Sequence, residues 1–271
     1  MTKPIPARAR KRDLRLGRVF HTLSANANLQ EIVGNALRKS FDEVIDGART
    51  GRYDIQQLEK TEKTYIGTKV EIVLRHELDL ERGRKLDNNI VGQEVDTKFS
   101  LTGAWMIPRE AFGELCLLVS GNDDSGRFSI GLCRMNREIL SEGANQDRKK
   151  RITKSGKERI RWLVENAPLP RNFLFDLEPQ TRKIILAQKS GTQRLHALFK
   201  NVKNQIIPRA AVVQVAQLKG DPLKRAREAK AVFATLGINV LCATYKNDRA
   251  EFRRNGFTGF ADDDWLAIHP Q

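Results

Sequence analysis

The chain has 271 residues, 40% of them hydrophobic and 30% charged, which excludes a disordered polyelectrolyte and makes two packed domains the expected organisation. Its 48 lysines and arginines outnumber 33 aspartates and glutamates, leaving +15; such a charge attracts polyanions, so nucleic acid is the first partner to consider. The longest wholly apolar run, Leu115–Val119, falls far short of the ~20 residues that cross a bilayer, and the basic N-terminus lacks an apolar leader core, so no membrane partner and a cytoplasmic location are expected.

In chain order, the first eighteen residues carry seven basic side chains against Asp13 alone and read as a basic arm. From Asn28, apolar side chains recur at three- and four-residue steps from Leu29 to Ile45, which predicts an amphipathic helix ended by Gly47. A second helix is predicted from Thr61 or Thr64 to about Leu78, with Val70, Ile72 and Val73 making apolar contacts. Leu86–Val91 and Gln93–Leu101, separated by Gly92, read as a hairpin or bulged turn. Glu114–Ser120 and Arg127–Met135 read as two more strands, joined through Gly121-Asn122-Asp123.

Asp147–Arg161 has eight basic residues against two acidic ones and reads most simply as a solvated loop. The segment Ala167-Pro168-Leu169-Pro170 interrupts any helix and marks the expected domain boundary. Ser190 and Gln193 form a capping box before an amphipathic helix with Arg194, Lys200 and Lys203 on its exposed side. Pro208–Gln217 fits a helix and a strand equally, while Pro222 opens a helix to Ala234 that is followed by a strand at Ile238–Cys242. Residues 208–242 are therefore either part of a winged helix-turn-helix or a βαβ unit.

Cys116, Cys133 and Cys242 form no C-x-x-C pair, and the four histidines are scattered, so reduced thiols are expected and chemistry must rest on carboxylates and lysines. In Gly92–Ser100 the residues Glu94, Asp96 and Lys98 share one strand face, with Val95 and Phe99 on the other. A hairpin would bring Asp87 near Asp96, and Glu71 would come from the preceding helix. Carboxylates beside a lysine supply what phosphodiester hydrolysis with Mg²⁺ needs, namely hard oxygen ligands and a cation for the attacking water or the developing phosphorane charge. A bare D-x-K is more often a solvated pair, so its neighbours carry the reading. Trp105, Met106 and Pro108 stand beside this strand, where a core role outweighs a DNA-facing one, as it does for Trp162 and Trp265.

Glu62-Lys63-Thr64, Gly67–Glu71, Lys85-Leu86-Asp87, Val95–Ser100 and Gly103–Pro108 form an ordered series that resembles the NaeI family of type II restriction endonucleases, a branch of the PD-(D/E)xK nucleases. The likeness continues through Thr50–Tyr53, Gly131–Arg134, the region from Asn145 to Lys150, Ala167–Leu169, Lys189–Gly191 and the stretch from Val215 to Arg225, with little after Thr244. It implies an α/β (α+β) fold: a restriction-endonuclease-like mixed sheet flanked by helices over 19–166 and a winged helix-turn-helix-like domain over 171–271, after the arm of 1–18. By the family pattern Glu71, Asp87 and Asp96 are the acidic residues of a Mg²⁺ site and Lys98 is the catalytic lysine; Glu94 beside them is expected to be supporting or merely solvated.

The resemblance further implies a homodimer that cuts double-stranded DNA at specific sites, within a restriction-modification system whose DNA methyltransferase it does not touch. In this family the second domain binds a second copy of the DNA as effector, which tips 208–234 toward helix-turn-helix and gives Lys200, Lys203, Lys224, Arg225 and Arg227 as DNA-binding residues, Arg227 on phosphate. The competing readings are a strand-nicking repair endonuclease of the MutH type and a DNA-binding regulator with an inactive nuclease domain.

Overall fold

The computed structural model describes residues 13–217 and 220–269. In chain order the elements run α1 (Leu14–Ser24), α2 (Leu29–Ile45), α3 (Gly47–Thr50), α4 (Lys60–Glu77), β1 (Glu81–Arg82), β2 (Asn88–Ile90), β3 (Gln93–Ser100), β4 (Met106–Ile107), β5 (Leu115–Asn122), β6 (Arg127–Arg134), β7 (Lys150–Arg151), α5 (Lys154–Lys157) and β8 (Arg161–Pro168). There follow α6 (Phe173–Asp176), α7 (Pro179–Leu186), α8 (Gly191–Asn201), β9 (Ile206–Ile207), α9 (Arg209–Ala216), α10 (Pro222–Ala234), β10 (Asn239–Cys242), α11 (Lys246–Arg254) and β11 (Trp265–Ile268). They fall into two compact units, one of residues 1–37 and 64–170, the other of 38–63 and 171–271.

In the first unit, residues 1–12 of the expected basic arm lie outside the described residues, and its end is helix. Asp13 caps α1 by accepting from the Leu16 amide at 3.0 Å, and Leu16, Val19 and Leu23 are buried on one side of that helix. Arg134 hydrogen-bonds the Asp13 carboxylate and holds its pKa below the ordinary range despite partial burial.

Among the described residues six strands form a mixed sheet in the order β1-β2-β3-β5-β6-β8, in which only β3 and β5 run parallel. The β2–β3 hairpin turns through Val91 and Gly92 at φ 46° and 74°, two left-handed positions as a two-residue turn of this hand requires. That turn sets Asn88 opposite Val95 and so brings Asp87 level with Asp96. The β5 strand continues through Gly121 and Asn122, so the turn into β6 falls later than expected, at Asp123–Gly126.

The basic stretch 147–161 is more than a solvated loop. It supplies β7, paired with β4, and α5, capped by Thr153, while Ile152 and Ile160 bury their side chains and the charges remain outside. Those isoleucines pack with Trp105, Cys116, Leu118 and Cys133. Trp105 is core: it is 3% exposed and its indole nitrogen donates to the Val119 carbonyl at 2.8 Å.

In the second unit, α2 ends at Asp46, which is itself left-handed at φ 47°, and Gly47 opens α3 instead of closing α2. Its glycine answers a close approach, since a Cβ there would stand 2.2 Å from Gln214 Nε2 and 2.4 Å from the Arg52 carbonyl. Pro208–Gln217 resolves as helix α9, because Ala211, Val212, Val215 and Ala216 bury at helical spacing into one core with Leu198, Phe199 and Trp265. In the order α8, β9, α9, α10, β10, α11, β11, the described strands of this unit form a small antiparallel sheet of order β10-β11-β9, and α8, α9 and α10 share a buried core with it. Ser190 and Gln193 form the expected capping box of α8. Cys116, Cys133 and Cys242 are all buried free thiols on strands.

Candidate active site

The acidic cluster is assembled by three neighbouring pieces of the first unit. Helix α4 buries Ile66, Val70, Val73 and Leu74, whereas Ile72, expected among the apolar contacts, is 48% exposed. Glu71 lies between these positions and reaches within 3.8 Å of Lys98 Nζ. Asp87, just before β2, accepts the Thr97 amide at 2.8 Å and lies 3.6 Å from the same ammonium. Asp96, on β3 itself, is 4% exposed and stands 2.9 Å from it. Lys98 also donates to the Thr97 carbonyl at 2.9 Å. All four residues singled out in the sequence thus meet around one nitrogen.

Charge is unevenly balanced here, with three carboxyl groups around one ammonium. Burial pushes the Glu71 carboxyl up to about 7, Lys98 opposing and Asp87 and Asp96 adding to the rise. Burial likewise pushes Asp96 up to about 6 against the pull of Lys98. Burial works against the Lys98 charge, yet Asp96, Glu71 and Asp87 together hold its ammonium above the ordinary lysine range. Among the described residues no group of three His, Cys, Asp or Glu side chains is arranged to hold a metal ion as it stands; the lysine ammonium occupies the point of convergence. The donor chemistry nevertheless suits a hard divalent cation: all-oxygen ligands, more negative charge than one ammonium balances, and carboxyls that gain a proton when no further cation is near.

Glu94 has a different task from its neighbours on the strand face. Its carboxylate accepts the amides of Arg84, Lys85 and Leu86 at 2.9, 3.1 and 2.8 Å, and these bonds hold its pKa below the ordinary range. It therefore fixes the loop that delivers Asp87. Gly83 takes part in this loop, since a Cβ there would lie 2.6 Å from Glu94 Oε2. Three further residues, Asn88, Arg75 and Cys116, were given no place at this site by the sequence. Asn88 donates to Thr97 Oγ1 at 2.8 Å and accepts from Arg75 Nε at 3.0 Å, tying α4 to β3 through one side chain. Cys116, paired with Asp96 across the parallel strands, places its sulfur 3.9 Å from Asp96 Oδ2. Arg75 lies one helical turn after Glu71, the one spacing that could have pointed to it.

In the second unit the expected DNA-binding residues separate. Lys200 is exposed on α8, and Lys203 Nζ lies 3.0 Å from His269 Nε2. Lys224 is exposed at the start of α10 with Glu228 3.9 Å away, and Arg227 stands 3.5 Å from Asp221, the cap of that helix. Arg225 turns back: a Cβ on Gly191 would lie 2.8 Å from its Nη1, and one on Gly220 2.9 Å from its Nη2. Arg194 is not on the exposed side. It donates to the carbonyls of Val215 and Gln188 and to Gln217 Oε1, bonds that close the α8–α9 packing, and burial with Arg225 nearby lowers its pKa.

Residues 18–268 match the family described as restriction endonuclease NaeI. The match runs through the region after Thr244, where the motifs had shown little likeness. A type II restriction enzyme NaeI of Lentzea aerocolonigenes is 35% identical over 248 residues, covering 88% of this chain and 78% of that enzyme.

Proposed function

The chain belongs to the NaeI family of restriction endonucleases, and from that premise we propose that its acidic cluster hydrolyses phosphodiester bonds at specific sites in double-stranded DNA with Mg²⁺ as cofactor. The family is one of DNA-cleaving hydrolases that use divalent metal. The observation that carries the site assignment is the convergence of Glu71, Asp87 and Asp96 on Lys98 Nζ within 3.8 Å.

Glu71, Asp87 and Asp96 are the residues that would hold Mg²⁺, which when bound polarises a phosphoryl oxygen and makes a water more acidic. Hydrolysis adds a water oxygen to phosphorus and expels one ester oxygen, so negative charge grows on the phosphoryl group. Lys98 presents a fixed ammonium to that charge, and its own contacts with Asp96 and the Thr97 carbonyl orient it before substrate arrives. Thr97 orients Asp87 through its amide, and Glu94 holds the loop leading to it.

The enzyme acts as a homodimer, because two-fold symmetric sites cut on both strands call for two symmetric centres. The second unit, with its helix-turn-helix, binds a further copy of the DNA as effector, and a DNA methyltransferase of the same restriction-modification system protects the host sequence. No described helix is long and apolar enough to cross a membrane.

Supercoiled plasmid incubated with the protein and Mg²⁺ tests this reading, with run-off sequencing of the ends. Linear product cut on both strands at one recurring sequence is the expected result. Nicked circles alone would favour the repair-endonuclease reading, and intact plasmid bound by the protein would favour the regulator.

A further inference from the structure

Strand register places a polar row beside the acidic cluster. Asp96, Lys98 and Ser100 alternate onto one face of β3, Ser100 pairs with Ser120 of β5, and Ser120 pairs with Ser129 of β6. Two residues along a strand are about 7 Å, so this row lies roughly one nucleotide step beyond Lys98 on the same sheet face. Trp105 and Leu118 belong to one buried cluster, and a Cβ on Gly103, which lines the cavity beside this row, would lie 3.7 Å from the Trp105 ring.

Ser120 and Ser129 line a cavity of about 280 Å³ together with Thr102, Asn122, Arg127 and Asn166. Ser100 holds the backbone at Thr102 by accepting the amides of Thr102 and Ala104 at 3.3 and 3.0 Å. Ser129 Oγ accepts the Asn166 amide at 2.9 Å, which leaves its hydroxyl proton to donate elsewhere. Arg127 uses Nη1 on the Asn166 carbonyl at 3.2 Å and is otherwise exposed. Asp123 and Asp124 belong to the adjoining turn and do not line the cavity. The cavity therefore offers hydroxyl, amide and guanidinium donors with no carboxylate among them.

We propose that this cavity is a phosphate-binding subsite for the DNA strand being cut, taking a phosphodiester next to the one at Lys98. The proposal rests on the nuclease reading above. A phosphate diester carries one negative charge and only acceptor oxygens, the complement of this donor set, and it has no donor that would require a carboxylate. Anchoring a neighbouring phosphate fixes the scissile one against Lys98, which helps the chemical step as well as binding.

The test uses full-length protein and duplexes built on the mapped cut site, in which one phosphate at a time is replaced by an uncharged methylphosphonate. Wild-type single-turnover cleavage is expected to fall about tenfold when a phosphate flanking the cut is neutralised, while Arg127→Ala, already slower by about that factor, loses nothing further at that position. Arg127→Lys should keep the sensitivity, and Asn122→Ala should weaken it, with melting temperatures near wild type. Losses that multiply independently at every position, or wild-type cleavage rates in both Arg127→Ala and Asn122→Ala, would overturn the subsite. In the same assay wild type must cut and Lys98→Ala must not; no cleavage by wild type would overturn the nuclease reading, and the subsite with it.

Discussion

Lys98 Nζ lies 3.0 and 2.9 Å from the two carboxylate oxygens of Asp96, its neighbour two places back on β3. Each side chain satisfies the other in a site where Asp96 is almost wholly buried. Lys98→Ala and Asp96→Ala should each abolish cleavage while leaving duplex binding within about tenfold, because the charge that grows in the transition state needs them more than docking does. Gel-shift affinities beside single-turnover rates check this, and turnover near wild type in either variant removes the pair from the mechanism.

The same relationship makes Lys98 the ammonium that three acids share. Lys98→Ala should therefore lower the melting temperature in chelator, and millimolar Mg²⁺ should recover more of it than it adds to wild type. Calorimetry with and without the ion reads the difference. Ca²⁺ should restore stability and DNA binding without turnover, its looser coordination being ill suited to this chemistry. Cleavage that survives EDTA would remove the metal from the reaction.

Folding stability should depend on pH through Glu71 and Asp96 in a definite sense. Both carboxyls sit above their ordinary values of 4.5 and 3.8, at about 7 and about 6. A group raised on folding contributes its full stability below the unfolded value and loses it as pH rises through the folded one. Lys98 is raised too, but its contribution is lost only in the alkaline range. Without metal, wild type should thus lose stability relative to Glu71→Gln between pH 5 and pH 8. Metal affinity should climb over the same interval as the acids give up their protons. Parallel melting curves across that interval would contradict the burial of Glu71.

Glu94→Gln tests whether that carboxylate organises the loop before Asp87. The amide oxygen can still accept, but the charge that strengthens three backbone bonds is lost. Cleavage should drop through misplacement of Asp87, with a modest fall in melting temperature, and Glu94→Ala should do worse on both. A direct metal ligand would behave otherwise: Glu94→Gln would then weaken Mg²⁺ binding with no loss of stability in its absence.

How much of this was legible beforehand follows from which forces are local. Alternation along Glu94, Asp96 and Lys98 and the Val91-Gly92 turn were enough to bring Asp87 to Asp96, since strand period and turn geometry are short-range. The α8 capping box was equally local. Glu94 was unreadable in its real task because its partners are backbone amides about ten residues away. The stretch 147–161 misled because its charge hid Ile152 and Ile160, which bury only once β4 and β6 are in place. Residues 208–217 stayed ambiguous because short apolar runs serve helix and strand alike, and the core around Trp265 decided the matter.

Helix α10 provides the last prediction, because Lys224 and Arg225 are adjacent in sequence and part ways in the structure. Lys224 is exposed at the first turn of α10, whereas Arg225 lies against Gly191 and Gly220 and near Arg194. If this unit binds effector DNA, Lys224→Ala should weaken that binding and shallow its salt dependence by about one released counterion, with unchanged melting. Arg225→Ala should instead lower the melting temperature, since it empties space packed between the start of α8 and the turn, and its loss of DNA binding should follow from that. Replacing Arg225 by Lys separates the two roles: a lysine keeps the charge but not the planar fork, so DNA affinity should recover only as far as stability does. Full affinity with reduced stability in Arg225→Lys would return that side chain to the DNA surface, and a Lys224→Ala protein with an unaltered salt slope would take α10 off it.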